Sequence, residues 1–342
     1  MAERYAVATG NWSNTATWDG GTLPGASDDV HANTYTVTID QNVTVATIRT
    51  DAGTTASAGG GFATSGEVTV TADCVAGTTR CITINASGEL VGNATGGSAS
   101  NAHGAYVNNG GTMTGDATGG SASNAYGAYV NAGGTLTGDA TGGSAYGTYG
   151  AYIYLGTMTG DATGGSDSNA YGAYINGGTT TGDATGGSVN NAHGAYMTAG
   201  GVLIGNATGS ATHAARGAVV FSGGRLIGNA TGGGVANANG AYVYNGGIVA
   251  GNATGASTHG VFMGANGVAI IGTATGSSSS AYGVYSNNRS VVVITTESGA
   301  YAKSLAAGVD TSYDTIPFAE PTGEGGGGDE YPYPRARMIG VG

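Results

Sequence analysis

The residues with chemistry to offer in this chain recur at fixed intervals. Asp116, Asp139, Asp161 and Asp183 stand 23, 22 and 22 residues apart, and Asn93, Asn206, Asn229 and Asn252 extend the same series. If these residues stack at strand spacing, roughly 5 Å apart, the four carboxylates repel one another. Calcium held between them is one way to relieve that repulsion. The G-G-x-G-x-D signature of calcium-binding β-rolls is missing, however, so the other reading is a ladder or turn position suited to Asn and Asp. A second series is aromatic: Tyr106, Tyr129, Tyr152, Tyr174, Tyr196, Tyr242, Phe262 and Tyr285. Three roles fit such a column: stacking inside a coil, a subunit interface, or a ramp on which sugars stack.

Neither series builds a catalytic constellation. His103 and His193 occupy a position that is Tyr126, Tyr149 or Tyr171 in other repeats, which reads as repeat drift. No G-x-S-x-G elbow is present, and Glu is absent between Glu89 and Glu297, leaving the regular Asp series and a lone Asp167 to supply acids. Cys74 and Cys81 flank residues 75–80 between two strand-like runs. They either face each other across a hairpin as a disulfide or remain free thiols. The sequence therefore predicts no enzyme and no cofactor beyond the calcium alternative.

The element that positions these residues is a tandem repeat. Its clearest copy, G-D-A-T-G-G-S-A-S-N-A-Y-G-A-Y-V-N-A-G-G-T-L-T, runs from Gly115 to Thr137. Nine copies begin at Gly92, Gly115, Gly138, Gly160, Gly182, Gly205, Gly228, Gly251 and Gly272, in steps of 21 to 23 residues. A period this regular predicts a solenoid, each copy forming one stacked rung. In the stretch from Thr135 to Thr141, Leu136 and Ala140 share one parity while Thr135, Thr137, Asp139 and Thr141 share the other, which is strand alternation. Glycine accounts for 70 residues without a G-X-Y period, so the chain is not collagen. The expected fold is all-β: a parallel β-helix of about nine rungs at 92–295, an N-terminal β capping region at 1–91, a weak terminal rung at 296–310, and an irregular Gly/Pro-rich tail at 311–342. Tyr331, Tyr333, Arg335 and Arg337 in that tail read as a docking peptide.

Charge narrows the partners. The net charge of −12 lacks any Lys/Arg stripe, which argues against nucleic acid and anionic membranes. No apolar run reaches transmembrane length, so membrane insertion is not expected. The opening Met-Ala-Glu-Arg-Tyr-Ala-Val is not a signal peptide, which leaves assembly inside a cell, export by a route without a classical signal, or a mature form as the readings.

The segment from Trp12 to Val30 carries Trp18-x-Gly20-Gly21-x-x-Pro24-x-x-x-Asp28-Asp29-Val30, followed by alternating strands. Together with the repeats, this resembles the entry segment and rod of β-helical phage tail-fibre and head-fibre proteins. The resemblance implies a capped, non-enzymatic virion fibre or decoration protein that serves structure or host attachment. It also implies self-association, with a trimer as the first expectation, and contact with other virion proteins or a host-surface glycan or receptor. A bacterial surface adhesin or filament subunit is the alternative, with an extracellular or cell-surface location, and a glycan-degrading tailspike is the more distant one.

Overall fold

The computed structural model describes residues 2–50, 61–78, 80–211, 214–234, 238–255, 258–276, 282–286, 291–298 and 301–305 of the 342. Its regular structure is strand throughout, apart from two 3-10 turns at Thr15–Thr17 and Asp19–Gly21. Coils of the repeat up to Thr231 carry three short strands, represented by Thr135–Thr137, Ala140–Thr141 and Ala151–Tyr154, and in the next two coils the first two merge into Ile248–Gly255 and Val268–Gly276. Every strand pairs in parallel with its counterpart one repeat later: Leu136 with Met158, Ala140 with Ala162, Ala151 with Ala173. The chain is a parallel β-helix.

Alternation decides which side chains enter the coil. Leu136, Ala140, Ala151 and Ile153 are fully buried, whereas Thr137, Asp139 and Thr141 face solvent. Stacking turns these positions into apolar columns, one of Leu and Met, two of Ala, and one of Val, Ile and Met, which together fill the interior from rung to rung. Each buried Leu, Ile or Val contributes roughly 1.5–3 kcal/mol relative to exposure. Thr180 replaces the Leu or Met of its column. It is fully buried, and its hydroxyl has no hydrogen-bond partner.

The bend between the first two strands of each coil needs glycine. Gly138 has φ +145°, and a Cβ there would stand 2.1 Å from the carbonyl oxygen of Gly115 in the coil before. The residue after the bend closes the corner by a different device. The Oδ1 of each Asp or Asn accepts the backbone N–H of its successor: Asp139 accepts from Asp161, Asp161 from Asp183, and Asp183 from Asn206, each at 2.8 Å. The acidic column is thus a ladder of side chain-to-backbone bonds in which Asp and Asn are interchangeable.

The solenoid begins well before the repeats become legible. One continuous parallel ladder runs through fourteen strands, from Gly10–Asn11 and Thr36–Ile39 to Tyr301–Leu305. The segment expected as a cap therefore supplies coils of the same ladders. Its end is filled by Trp12 and Trp18, which are buried and meet edge to face at 4.8 Å. The Trp18 Nε1 donates to the Trp12 carbonyl at 2.9 Å. Asp28 ties this end to the chain start. It accepts the Gly25 N–H at 2.9 Å and pairs with Arg4 at 3.4 Å, and the Gly25 bond leads the causes that hold its carboxyl below the ordinary value.

Cys74 and Cys81 do not face each other across a hairpin. Cys74 belongs to Thr69–Ala76 and Cys81 precedes Ile82–Ile84, and these strands lie in different sheets of the coil, each paired in parallel with its neighbours. Both are buried free thiols. Burial, more than the hydrogen bond between them, raises the Cys74 thiol well above its ordinary value.

Two measurements check this account. Gly138→Ala is expected to lower stability by about 2 kcal/mol or more, because it adds both backbone strain and a clash with Gly115. Gly110→Asn, at φ +85° with nothing within 4 Å of the added Cβ, is expected to stay within about 0.5 kcal/mol of wild type in the same denaturant titration. Thr180→Val, which removes the unpartnered hydroxyl at nearly constant volume, is expected to raise the thermal midpoint, with a gain of about 1 kcal/mol.

Candidate functional site

The strand represented by Ala128–Val130 has apolar residues on both faces, and the structure settles which face is inside. The Ala and Val columns are fully buried, while Tyr129 and its equivalents are half-buried on the outer face. Of the three roles open to the tyrosine column, stacking inside the coil is therefore not the one adopted. Against this strand the interior is narrow enough to be filled by Ala and Val, and the rings find their packing outside it.

The outer rings form a continuous ladder. Tyr106, Tyr129, Tyr152, Tyr174 and Tyr196 stack with centroids 5.0, 5.0, 5.0 and 5.1 Å apart and planes within 15° of parallel. The spacing is that of neighbouring strands, so the backbone ladder sets it. A second column packs beside the first, from the position three residues earlier. In it His103, Tyr126, Tyr149, Tyr171 and His193 stack at 4.8, 4.8, 4.9 and 5.2 Å. The same position is Arg80 one coil before His103 and Arg216 one coil after His193, so the column reads Arg-His-Tyr-Tyr-Tyr-His-Arg.

The two arginines end the stack. Arg80 lies over the Tyr106 ring at 4.1 Å. Where Val219 interrupts the first column, Arg216 lies over Tyr242 at 4.3 Å, and the aromatic run resumes with Tyr242, Phe262 and Tyr285. Each guanidinium thus covers a ring face that a missing tyrosine would have covered, a cation–π contact. The histidines next to them are held neutral. The Nδ1 of His103 accepts the Tyr126 N–H at 3.2 Å, and that of His193 accepts the Arg216 N–H at 3.0 Å. Burial, reinforced by Arg80 or Arg216, pushes each histidine down to about 3. Burial likewise pushes the Tyr126 phenol up to about 12, and Tyr149 higher still, so both remain neutral donors.

This geometry limits what the column can bind. A sugar ring stacks on an exposed aromatic face, but here neighbouring rings occupy both faces of each interior ring. What remains on the surface is a line of ring edges and phenol oxygens repeated about every 5 Å. Elsewhere on the rod, an open groove of about 770 Å³ crosses five coils and is lined by the Thr-Gly-Gly-Ser corners from Thr118 to Ser210. Its lining is Thr, Ser, Gly and Ala alone. Among the described residues no group of three or more His, Cys, Asp or Glu is placed to hold a metal ion, and no helix is long and apolar enough to cross a membrane. Tyr331, Tyr333, Arg335 and Arg337 lie outside the described residues.

Sequence reasoning placed the first aromatic column and missed the second. His103, Tyr126 and their equivalents were legible only as variation at one repeat position, although an Arg-His-Tyr-Tyr-Tyr-His-Arg series is visible once that position is read down the stack.

The class these features define is the parallel β-helix with a stacked aromatic flank. No protein-family model matches the chain, and no curated protein matches it by sequence. Among solved structures, it is similar to the TibC-catalysed hyper-glycosylated TibA55-350 fragment, at 19% identity and a TM-score of 0.31, over 87% of this chain and 94% of that one.

The neutral histidines carry a prediction. Their folded-state pKa of about 3 lies below the ordinary 6.5, so between these values the unfolded chain binds more protons than the folded one. Stability is therefore expected to fall as pH drops from about 6.5 towards 3. Replacing both residues with Tyr should flatten that part of the pH–stability curve. An NMR titration should leave the His103 and His193 ring signals unmoved across the range in which an exposed imidazole titrates.

Proposed function

We propose that this chain is a non-enzymatic structural and attachment rod displayed on a surface, as a virion fibre or decoration protein or as a cell-surface adhesin. The observation that carries this reading is the register of the outward columns. Coil after coil presents the same Thr, Asp or Asn, and Tyr at the same place, so the surface is a linear array. An enzyme needs one location unlike the rest, with an acid, a base or a nucleophile of its own. A rod gains reach and multivalency from sameness, because each further coil adds one more copy of a weak contact. Contact with a glycan or receptor would run through phenol edges and the hydroxyl-lined groove, since the ring faces are occupied.

Immunogold labelling with antibody raised against the 92–295 rod tests the reading on intact producing cells and on particles purified from lysates. Label along fibres or surface projections is the expected result, and whether it falls on particles or on cells distinguishes the virion fibre from the adhesin. Label confined to the soluble cell interior would overturn both.

A further inference from the structure

One face of the rod is uncharged over most of its length and has no partner among the described residues. It is the outer face of the strands Thr112–Thr114, Thr135–Thr137, Thr157–Thr159 and Thr179–Thr181, four T-x-T strands stacked in register. The coils on either side replace Thr with larger apolar residues that remain exposed: Val91 at 36%, Ile204 at 42% and Ile227 at 41%. Threonine methyls and these branched side chains together make a flat, weakly apolar stripe.

The two charges on this face are placed symmetrically. Glu89 stands three coils before Thr157 in its column and Arg225 three coils after it, by way of Thr135 and Thr112 on one side and Thr179 and Val202 on the other. Val91 and Ile227 hold the matching places in the next column. Neither Glu89 nor Arg225 joins an ion pair among the described residues. The Nε of Arg225 is buried without a hydrogen-bond partner.

We propose that this face is the contact between two copies of the chain packed antiparallel, with the two-fold axis at the Thr157 coil. That axis lies between the two faces and runs along the strands, so it reverses the rod and keeps each column opposite itself. Glu89 of one copy then faces Arg225 of the other, twice, at points about 29 Å apart along the rod, and Val91 faces Ile227. A parallel pair in register, or a parallel trimer closing on this face, places Glu89 against Glu89 and Arg225 against Arg225, a like-charge arrangement that opposes assembly. The antiparallel pair is therefore the assembly that the charges select, in place of the trimer implied by the fibre resemblance. The aspartates follow the glycine bend and stand at the edge of the face in water, where their repulsion is screened. This inference does not depend on whether the rod belongs to a particle or a cell.

Sedimentation equilibrium on the full chain tests it. The wild type is expected to show a species of twice the 32.9 kDa chain mass. Glu89→Arg and Arg225→Glu are each expected to weaken the dimer about tenfold or more in Kd, and combining them in one chain should restore it. As a measurement independent of charge, Val91→Cys mixed with Ile227→Cys is expected to form a disulfide-linked heterodimer on mild oxidation, while either variant alone forms no cross-linked pair. A monomeric wild type, a trimer, a Kd unmoved by both single reversals, or cross-linking of Val91→Cys with itself would each overturn the proposal.

Discussion

The close approach of one glycine to the next is the constraint on which the rest of this molecule depends. At Gly138 the chain turns so tightly that the space of a Cβ is already filled by the carbonyl of the coil before, and the same relation holds at Gly115, Gly160 and Gly182. Such a corner fixes two things at once. It lets the coils approach to the distance that the strand hydrogen bonds set, and it returns every strand to the same register, because a slipped coil would present a side chain where only glycine fits. The apolar columns, the Asx ladder and the aromatic stack all inherit their spacing from that repeat.

The aromatic ladder shows how much follows from inherited spacing. Neighbouring strands lie at a distance that suits offset stacking, so one tyrosine per coil on an outer face falls into contact with the next without further adjustment. The cost appears at the ends, where a ring face would otherwise meet water. There the sequence departs from Tyr in a fixed order, first to His and then to Arg: a flat neutral ring that accepts a backbone N–H, then a flat cation, Arg80 covering Tyr106 at the start of this stack and Arg216 covering Tyr242 at the start of the next run. Burial that raises the Tyr126 and Tyr149 phenols and lowers the His103 and His193 imidazoles keeps these four rings of the second column uncharged.

What could be read from the sequence followed the repeats. The alternation of Leu136 and Ala140 against Thr137, Asp139 and Thr141 placed the core correctly, because on that side only one face is apolar. The Ala128–Val130 strand was not legible in the same way. Both of its faces are apolar, and coil width, a tertiary quantity, decides between them. The early coils escaped for another reason. Their steps along the continuous ladder, from Gly10 to Val37 to Phe62 to Ile82, are 27, 25 and 20 residues, too uneven to register as a period although the strands pair as regularly as the rest.

The capped stack also bears on inheritance. Arg80 and Arg216 flank the five copies that begin at Gly92, Gly115, Gly138, Gly160 and Gly182, which all share the opening G-[DN]-A-T-G-G-S and the G-A-Y of the outer strand. Recombination between such tandem copies adds or removes whole units in frame, and each unit carries its own glycine corner, core residues and tyrosines. A gain or loss of this kind lengthens or shortens the molecule while leaving both terminal cations in place. Rod length is thus a trait that can change in a single genetic event without a new fold having to be found.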